Sequence, residues 1–145
     1  MPKTPPAPDL STRPLHLVIE HAMRASPVEL YWAWTEQFDR WLAEPGTVLM
    51  ESKVDTAFYM ETHHDGFRAP YYGRFLRLET ERLVEMTWLS LGTKCAETVI
   101  TVELAPNESG TRLKLTHAGF LDEESLQAHE ALWPAMLAEL DAQLT

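Results

Sequence analysis

The chain has little cysteine, little glycine and few positive charges. Its 145 residues include one cysteine and six glycines, and 12 Lys and Arg face 22 Asp and Glu, for a formal net charge of −10. The single Cys95 excludes an internal disulfide, and the dispersed glycines form neither a phosphate-binding loop nor a dinucleotide fingerprint. The negative charge disfavours nucleic acid and anionic lipid as partners.

Long hydrophobic runs are also missing. The longest, residues 30–34, is far shorter than the roughly 18 residues of a membrane span, and the N-terminus lacks the apolar stretch of a secretory signal. Together with the lone cysteine, this predicts a cytoplasmic protein. Hydrophobic residues make up 45% and charged residues 23% of the chain, as in an ordinary globular protein, and the length suits one domain.

Prolines are concentrated at the N-terminus. Five of the ten lie within residues 1–14, where large apolar side chains are almost absent. Because such a segment can neither pair in a sheet nor bury much surface, we expect a flexible arm over residues 1–14 and a single domain over residues 15–145.

A helix is predicted to begin at Ser26. Ser26 and Glu29 have the spacing of a capping box, and Pro27 occupies the first helical position, where its missing N–H is no loss. An apolar stripe follows at spacings of three or four and ends before Pro45. A division near residues 35–37 would give two short helices. The stripe consists of Leu30, Trp34, Phe38 and Trp41.

Strand-like alternation predicts seven strands. One covers Leu15 to Met23, and after Gly46 the others cover about 47–53, 56–63, 71–79, 82–89, 95–105 and 111–118. In the last three, apolar residues occupy one face and charged or hydroxyl residues the other. This alternation is typical of an antiparallel sheet with one solvated face.

The C-terminal segment supplies a cover for the apolar face. Residues 122–125 favour a helix start, and apolar residues then recur at helical spacing as far as Leu144. Pro134 removes one backbone donor and crowds the carbonyl of Glu130, so we expect a kink or a new start at residues 131–134. The order of strand, short helices, six strands and long helix predicts a two-layer α+β domain.

Four pieces of the sequence carry a resemblance to a known family. They are residues 26–29 with the aromatic run to Trp41, residues 65–66 with 72–73, residues 82–84 with 87–88, and residues 110–120. Together they resemble the family similar to the C-terminal domain of the heat-shock-protein-90 ATPase activator. This family belongs to the START-like (SRPBCC, birch-pollen-allergen-like) helix-grip superfamily, and the resemblance covers about residues 15–144. It implies a curved seven-stranded antiparallel sheet wrapped around a long C-terminal helix, with a largely apolar cavity between them.

A ligand site is predicted on the inner face of the sheet. His117 shares the parity of Leu113 and Leu115, so its imidazole points toward the C-terminal helix, where it could bind a ligand or act as a general base. The alternative is a core histidine with protein hydrogen-bond partners. Methionine and aromatic side chains of the same face would line a cavity or fill a closed core. The predicted ligand-binding residues are Met60, Met86, Trp88, Ile100, Leu115, His117, Trp133 and Met136.

Other candidate sites carry weaker signals. His63 and His64 are adjacent on a strand and point to opposite faces, so no metal site is predicted, and no cofactor is expected. Arg74 and Arg77 are predicted to lie on opposite faces of one strand. One of them would then point inward, toward an acidic ligand, or form a salt bridge at the rim.

The leading functional hypothesis is the binding of a small, mainly hydrophobic molecule between the sheet and the C-terminal helix, without catalysis. One alternative is a cyclase- or hydrolase-like enzyme using His117. The other is a chaperone (Hsp90) ATPase-activating module. We rank it lowest because only a short arm precedes Leu15, where a full-length activator has another domain. The sequence leaves the oligomeric state open.

Overall fold

The computed structural model describes residues 6–64 and 66–145. Its elements follow the predicted order with one strand fewer. They are β1 (Leu15–Met23), α1 (Pro27–Thr35), α2 (Phe38–Trp41), β2 (Ala57–His64), β3 (Phe67–Glu79), β4 (Leu83–Ser90), β5 (Thr98–Asn107), β6 (Gly110–Phe120) and α3 (Glu123–Leu144).

The strands form one antiparallel sheet in the order β1-β6-β5-β4-β3-β2. From β2 to β6 each strand pairs with the next in sequence, and β1 pairs with β6. The segment containing α1 and α2 therefore carries the chain from one edge of the sheet to the other. The helices pack on the inner face, and this two-layer arrangement confirms the predicted α+β class.

The sheet has six strands, so the predicted strand over residues 47–53 is wrong. That segment makes only an isolated bridge, in which the backbone groups of Leu49 and Tyr59 exchange hydrogen bonds of 2.8 and 2.9 Å. Leu49 is 71% exposed, so the alternation there does not mark a buried face. A turn with Asp55 in the left-handed region, at φ 65°, then leads into β2.

The capping residues predicted for α1 act as expected. The Ser26 hydroxyl accepts a hydrogen bond from the Glu29 N–H at 3.2 Å, and the Glu29 carboxylate accepts one from the Ser26 N–H at 3.3 Å. The helix ends at Thr35 and α2 begins at Phe38, which confirms the division near residues 35–37.

Helix α3 runs unbroken through Pro134, so the predicted new start at residues 131–134 is wrong. Asp122 caps it by accepting a hydrogen bond from the Ser125 N–H at 2.9 Å. Pro134 and Glu130 both lie on the exposed side of the helix. The proline ring therefore displaces no core side chain, and water can reach the carbonyl that loses its donor.

A β-bulge corrects the prediction for Arg74 and Arg77. Phe75 pairs with Met86 and Arg77 with Glu85, so Leu76 is an extra residue in β3. Because the extra residue reverses the alternation, both arginines lie on the outer face, opposite the fully buried Phe75. Arg74 lies 3.4 Å from Asp55, which is the salt bridge at the rim that the sequence allowed.

The N-terminal segment contacts the sheet in its described part. The Arg13 guanidinium donates to the Gly119 carbonyl at 2.7 Å, and that of Arg74 donates to the Pro6 carbonyl. The Leu10 side chain lies against Gly119. Residues 1–5 of the predicted arm lie outside the described residues, and the domain boundary at residue 15 stays a prediction. None of the described helices is long and apolar enough to span a membrane.

Candidate functional site

The eight predicted ligand-binding residues lie between the inner face of the sheet and α3. Seven of them are buried, and Met136 is partly buried and packs against the same core. They meet fully buried aromatic side chains that belong to α1, α2, β3 and β6, namely Trp34, Phe38, Phe75 and Phe120. The predicted lining is therefore the packed centre of the molecule.

His117 is part of a continuous hydrogen-bond chain. The Trp133 indole N–H donates to His117 Nδ1 at 3.1 Å, and His117 Nε2 lies 2.8 Å from Thr98 Oγ1, which donates to the Trp88 carbonyl at 2.6 Å. Because an indole nitrogen only donates, Nδ1 is the acceptor and the neutral ring carries its proton on Nε2. The chain thus runs from α3 through β6 and β5 to β4, with a partner for each ring nitrogen.

The surroundings of His117 hold its imidazole neutral. Burial lowers the pKa of His117 well below its usual value of 6.5, and the neighbouring His129 lowers it further. Their ring centroids are 4.9 Å apart. Burial also lowers the pKa of His129, opposed by the hydrogen bond that its Nδ1 donates to the Ser125 carbonyl at 2.8 Å. His117 therefore has no free lone pair for a substrate proton, and it orients the Trp133 ring.

The indole rings of Trp34, Trp41 and Trp133 meet beside this chain, and two of these three have a hydrogen-bond partner among the described residues. The Trp34 ring centroid lies 4.9 Å from that of Trp41 and 6.0 Å from that of Trp133. Trp41 donates its N–H to the Ala33 carbonyl at 3.0 Å, and Trp133 donates to His117. Trp34 is 0% exposed, and its Nε1 has no acceptor among the described residues.

Three residues of the site were missing from the sequence prediction. Thr98 has the inward parity of its strand and His129 lies on the apolar stripe of α3, so the sequence indicated that both side chains face the interior. It did not indicate their hydrogen-bond partners. Trp34 was assigned to the apolar stripe of α1, but nothing in a sequence indicates that a buried N–H lacks a partner.

The described residues contain no group of three or more His, Cys, Asp or Glu side chains that could hold a metal ion. Cys95 is exposed in the segment between β4 and β5. Among the described residues, the chemistry available inside the molecule is therefore apolar contact, aromatic packing and two buried groups with unused hydrogen-bond donors, the Trp34 indole N–H and the Ser125 hydroxyl.

Comparison with solved structures supports the fold. The chain is similar to protein CV1439 from Chromobacterium violaceum, with 23% identity, coverage of 90% of this chain and 98% of that one, and a TM-score of 0.78. Mll3558 from Rhizobium loti gives 20% identity, 90% and 96% coverage and a TM-score of 0.76. CalU16 from Micromonospora echinospora gives 23% identity, 90% and 76% coverage and a TM-score of 0.67.

Sequence comparison supplies the family. No curated protein matches the chain. The family model described as "Activator of Hsp90 ATPase homolog 1-like protein" matches residues 24–145. The predicted helix-grip fold is confirmed, with six strands in place of seven, and this superfamily is in general a ligand-binding one. The chain belongs to the family of activator of Hsp90 ATPase homolog 1-like proteins.

Proposed function

We propose that the protein binds a small, mainly apolar molecule with one hydrogen-bond acceptor, between the inner face of the sheet and α3. The observation that carries this proposal is the Trp34 indole N–H, which is fully buried without an acceptor. An unsatisfied buried donor costs about 1–3 kcal/mol. A ligand carbonyl or ether oxygen that reaches this donor recovers that free energy, in addition to the apolar contacts.

The predicted site residues act as the walls in this proposal. Met60 and Met86 from the sheet and Met136 from α3 are unbranched, and such side chains adapt to irregular ligands by changing rotamer. Trp88 and Trp133 pack against each other with ring centroids 5.9 Å apart, so the ligand body would lie against this pair of rings rather than between them. Ile100 and Leu115 close the floor, and His117 fixes the Trp133 ring rather than contacting the ligand.

The experiment compares two ligands of equal shape, 1-tetralone and tetralin, which differ in one carbonyl oxygen. Binding is measured by titration calorimetry and native mass spectrometry on the wild-type protein, on Trp34→Phe and on the matched control Trp41→Phe. We expect the ketone to bind roughly fivefold or more tightly than the hydrocarbon, which is about 1 kcal/mol. Trp34→Phe abolishes this preference, whereas Trp41→Phe keeps it because that N–H is already bonded within the protein.

Two results would contradict the proposal. If neither ligand binds, the proposed interior site is refuted. If the preference for the ketone persists in Trp34→Phe, the role of the Trp34 N–H as the donor is refuted. The hydrolase or cyclase alternative receives no support from His117, whose ring nitrogens both have protein partners.

The family description supports a second candidate, the activation of a chaperone ATPase. It is tested separately, by measuring ATP hydrolysis by purified Hsp90 with and without this protein. An unchanged rate, together with no complex in analytical ultracentrifugation, would exclude it. The cytoplasmic location stays a prediction from the lone cysteine.

A further inference from the structure

Two grooves on the outside of the molecule meet at Arg82, directly after the turn between β3 and β4. The first, of about 450 Å³, crosses the outer face of the sheet, and the second, of about 610 Å³, runs between the turn and the start of α1. Arg82, Leu104 and Ala105 line both grooves. Volumes of this size are in the range of small-molecule sites.

The second groove has two apolar walls. Pro27 and Val28 at the start of α1 form one wall, and Leu104 and Pro106 near the end of β5 form the other. Val28 is 43% exposed although it is a large aliphatic side chain. An apolar body lying between the walls would cover it and remove further apolar surface from water.

Two of the cations that line the first groove are paired with carboxylates. Arg112 lies 2.8 Å from Glu20, and Arg77 lies 3.6 Å from Glu79. Lys114 is paired in register with Glu103 and with Glu20 on its two neighbouring strands. Arg82 is the cation that lines both grooves.

Arg82 has no carboxylate within 4.0 Å and no side-chain hydrogen bond among the described residues. Its backbone is nonetheless fixed, because its N–H donates to the Glu79 carbonyl at 2.9 Å and its carbonyl accepts from the Leu104 N–H at 2.8 Å. The exposed side chain thus extends from a fixed backbone position, with its guanidinium donors unused. Glu81, in the left-handed region at φ 64°, contributes the one carboxylate among the residues lining the second groove.

We propose that the second groove binds a molecule with a single carboxylate on an apolar body. The carboxylate lies on the Arg82 guanidinium, whose planar donors match its two oxygens, and the apolar body lies between the walls. A free carboxylic acid and the C-terminus of an apolar peptide share this chemistry. This site differs from the interior one in its location and in requiring an anion.

The test uses octanoate and the uncharged octanamide as probes in an NMR titration of ¹⁵N-labelled protein. We expect octanoate to bind and to shift the amide signals of Thr80 and Ala105, at the two sides of the groove. Octanamide should bind at least about fivefold more weakly because it lacks the charge-assisted hydrogen bonds. A Val28→Ser variant, which shortens one apolar wall, should weaken both probes equally.

Charge variants test the role of Arg82. Arg82→Gln should reduce octanoate affinity to that of octanamide, and Glu81→Gln should increase it by removing a nearby like charge. Arg68→Gln is the control, since this exposed arginine belongs to β3 but lines neither groove. All three substitutions are on the surface, so folding should be unaffected.

Peptide probes distinguish the two sources of the carboxylate. An acetylated apolar tripeptide with a free C-terminus that binds more tightly than octanoate, while its amidated form does not bind, assigns the groove to a protein C-terminus. If octanoate binds more tightly than the peptide with a free C-terminus, the groove is assigned to a free acid. Absence of octanoate binding, equal binding of octanamide, or unchanged binding to Arg82→Gln refutes the proposal. Amide shifts confined to the interior around Trp34 also refute it, while leaving the interior site standing.

Discussion

Acidification from about pH 6.5 to about pH 5 should destabilise the folded protein through His117. Burial lowers the pKa of this imidazole well below 6.5, so in this pH range the unfolded chain binds a proton that the folded chain does not. Stability is then fully present above the unfolded pKa and is lost as the pH falls. Each pH unit costs up to about 1.4 kcal/mol, a slope reached only where the unfolded imidazole is fully protonated, so His117 contributes a loss of about 1–2 kcal/mol over this range.

His129 acts in the same direction, because burial also lowers its pKa. The range above about pH 5 isolates the histidines, since carboxyl groups such as those of Glu20 and Asp122, whose pKa values are lowered by Arg112 and Lys94, titrate below it.

The assay is urea unfolding at several pH values between about 5 and 7.5. We expect the slope of the unfolding free energy against pH to fall by the equivalent of about one proton in His117→Gln relative to the wild type. The slope of the control His16→Gln, which replaces an exposed histidine, should stay unchanged. If His117→Gln is too unstable to measure, the ring proton signals of His117 in the wild type give the same answer, because the ring should stay neutral as the pH falls below 6.5. An unchanged slope in His117→Gln, or protonation of the native ring above pH 6, would refute the reasoning.

Three further predictions concern stability and are measured by denaturant unfolding. Asp141→Ala should cost about 2–4 kcal/mol, because the carboxylate accepts hydrogen bonds of 3.0 Å from the backbone N–H groups of Arg24 and Ala25; a loss below about 1 kcal/mol would contradict this. Gly73→Ala should cost about 1–3 kcal/mol or more, since its Cβ would lie 2.2 Å from a β4 carbonyl oxygen and 2.3 Å from the Phe58 ring; wild-type stability would contradict it. Removing α3 should abolish cooperative unfolding, because this helix covers the inner face of the sheet, and a soluble chain with a sharp transition would contradict the two-layer description.

The strands predicted best are those with one solvent-exposed face and one buried face. In β4, β5 and β6 the alternation assigned Val84, Ile100 and Leu115 to the core, and all three are fully buried. Alternation cannot show whether a segment has a neighbour over its whole length, which is why residues 47–53 were mistaken for a strand. It also cannot show an extra residue in a bulge, which is why Arg77 was placed on the wrong face.

The interior site was predicted only in part, because alternation shows on which face of a strand a side chain lies but not what it contacts. Parity correctly placed His117 inside, but its partners depend on how α3 lies across the sheet, a tertiary fact that no local pattern contains. The sequence likewise could not show that the Trp34 N–H lacks an acceptor or that Arg82 lacks a carboxylate partner. Both facts depend on which groups of other elements lie nearby in the folded protein.

The hydrogen bonds of His117 explain why this residue is better assigned to the fold than to a reaction. Its chain of partners joins α3 to three neighbouring strands through Trp133, Thr98 and the Trp88 carbonyl. A one-residue shift of β6 against β5 would turn the imidazole to the outer face and leave the indole N–H of Trp133 and the hydroxyl of Thr98 without it. Each lost partner would leave a buried polar group unsatisfied, so the chain favours a single register. A ligand that used His117 would have to break this arrangement, whereas the donors of Trp34 and Arg82 are unused and can bind a ligand without breaking an existing hydrogen bond.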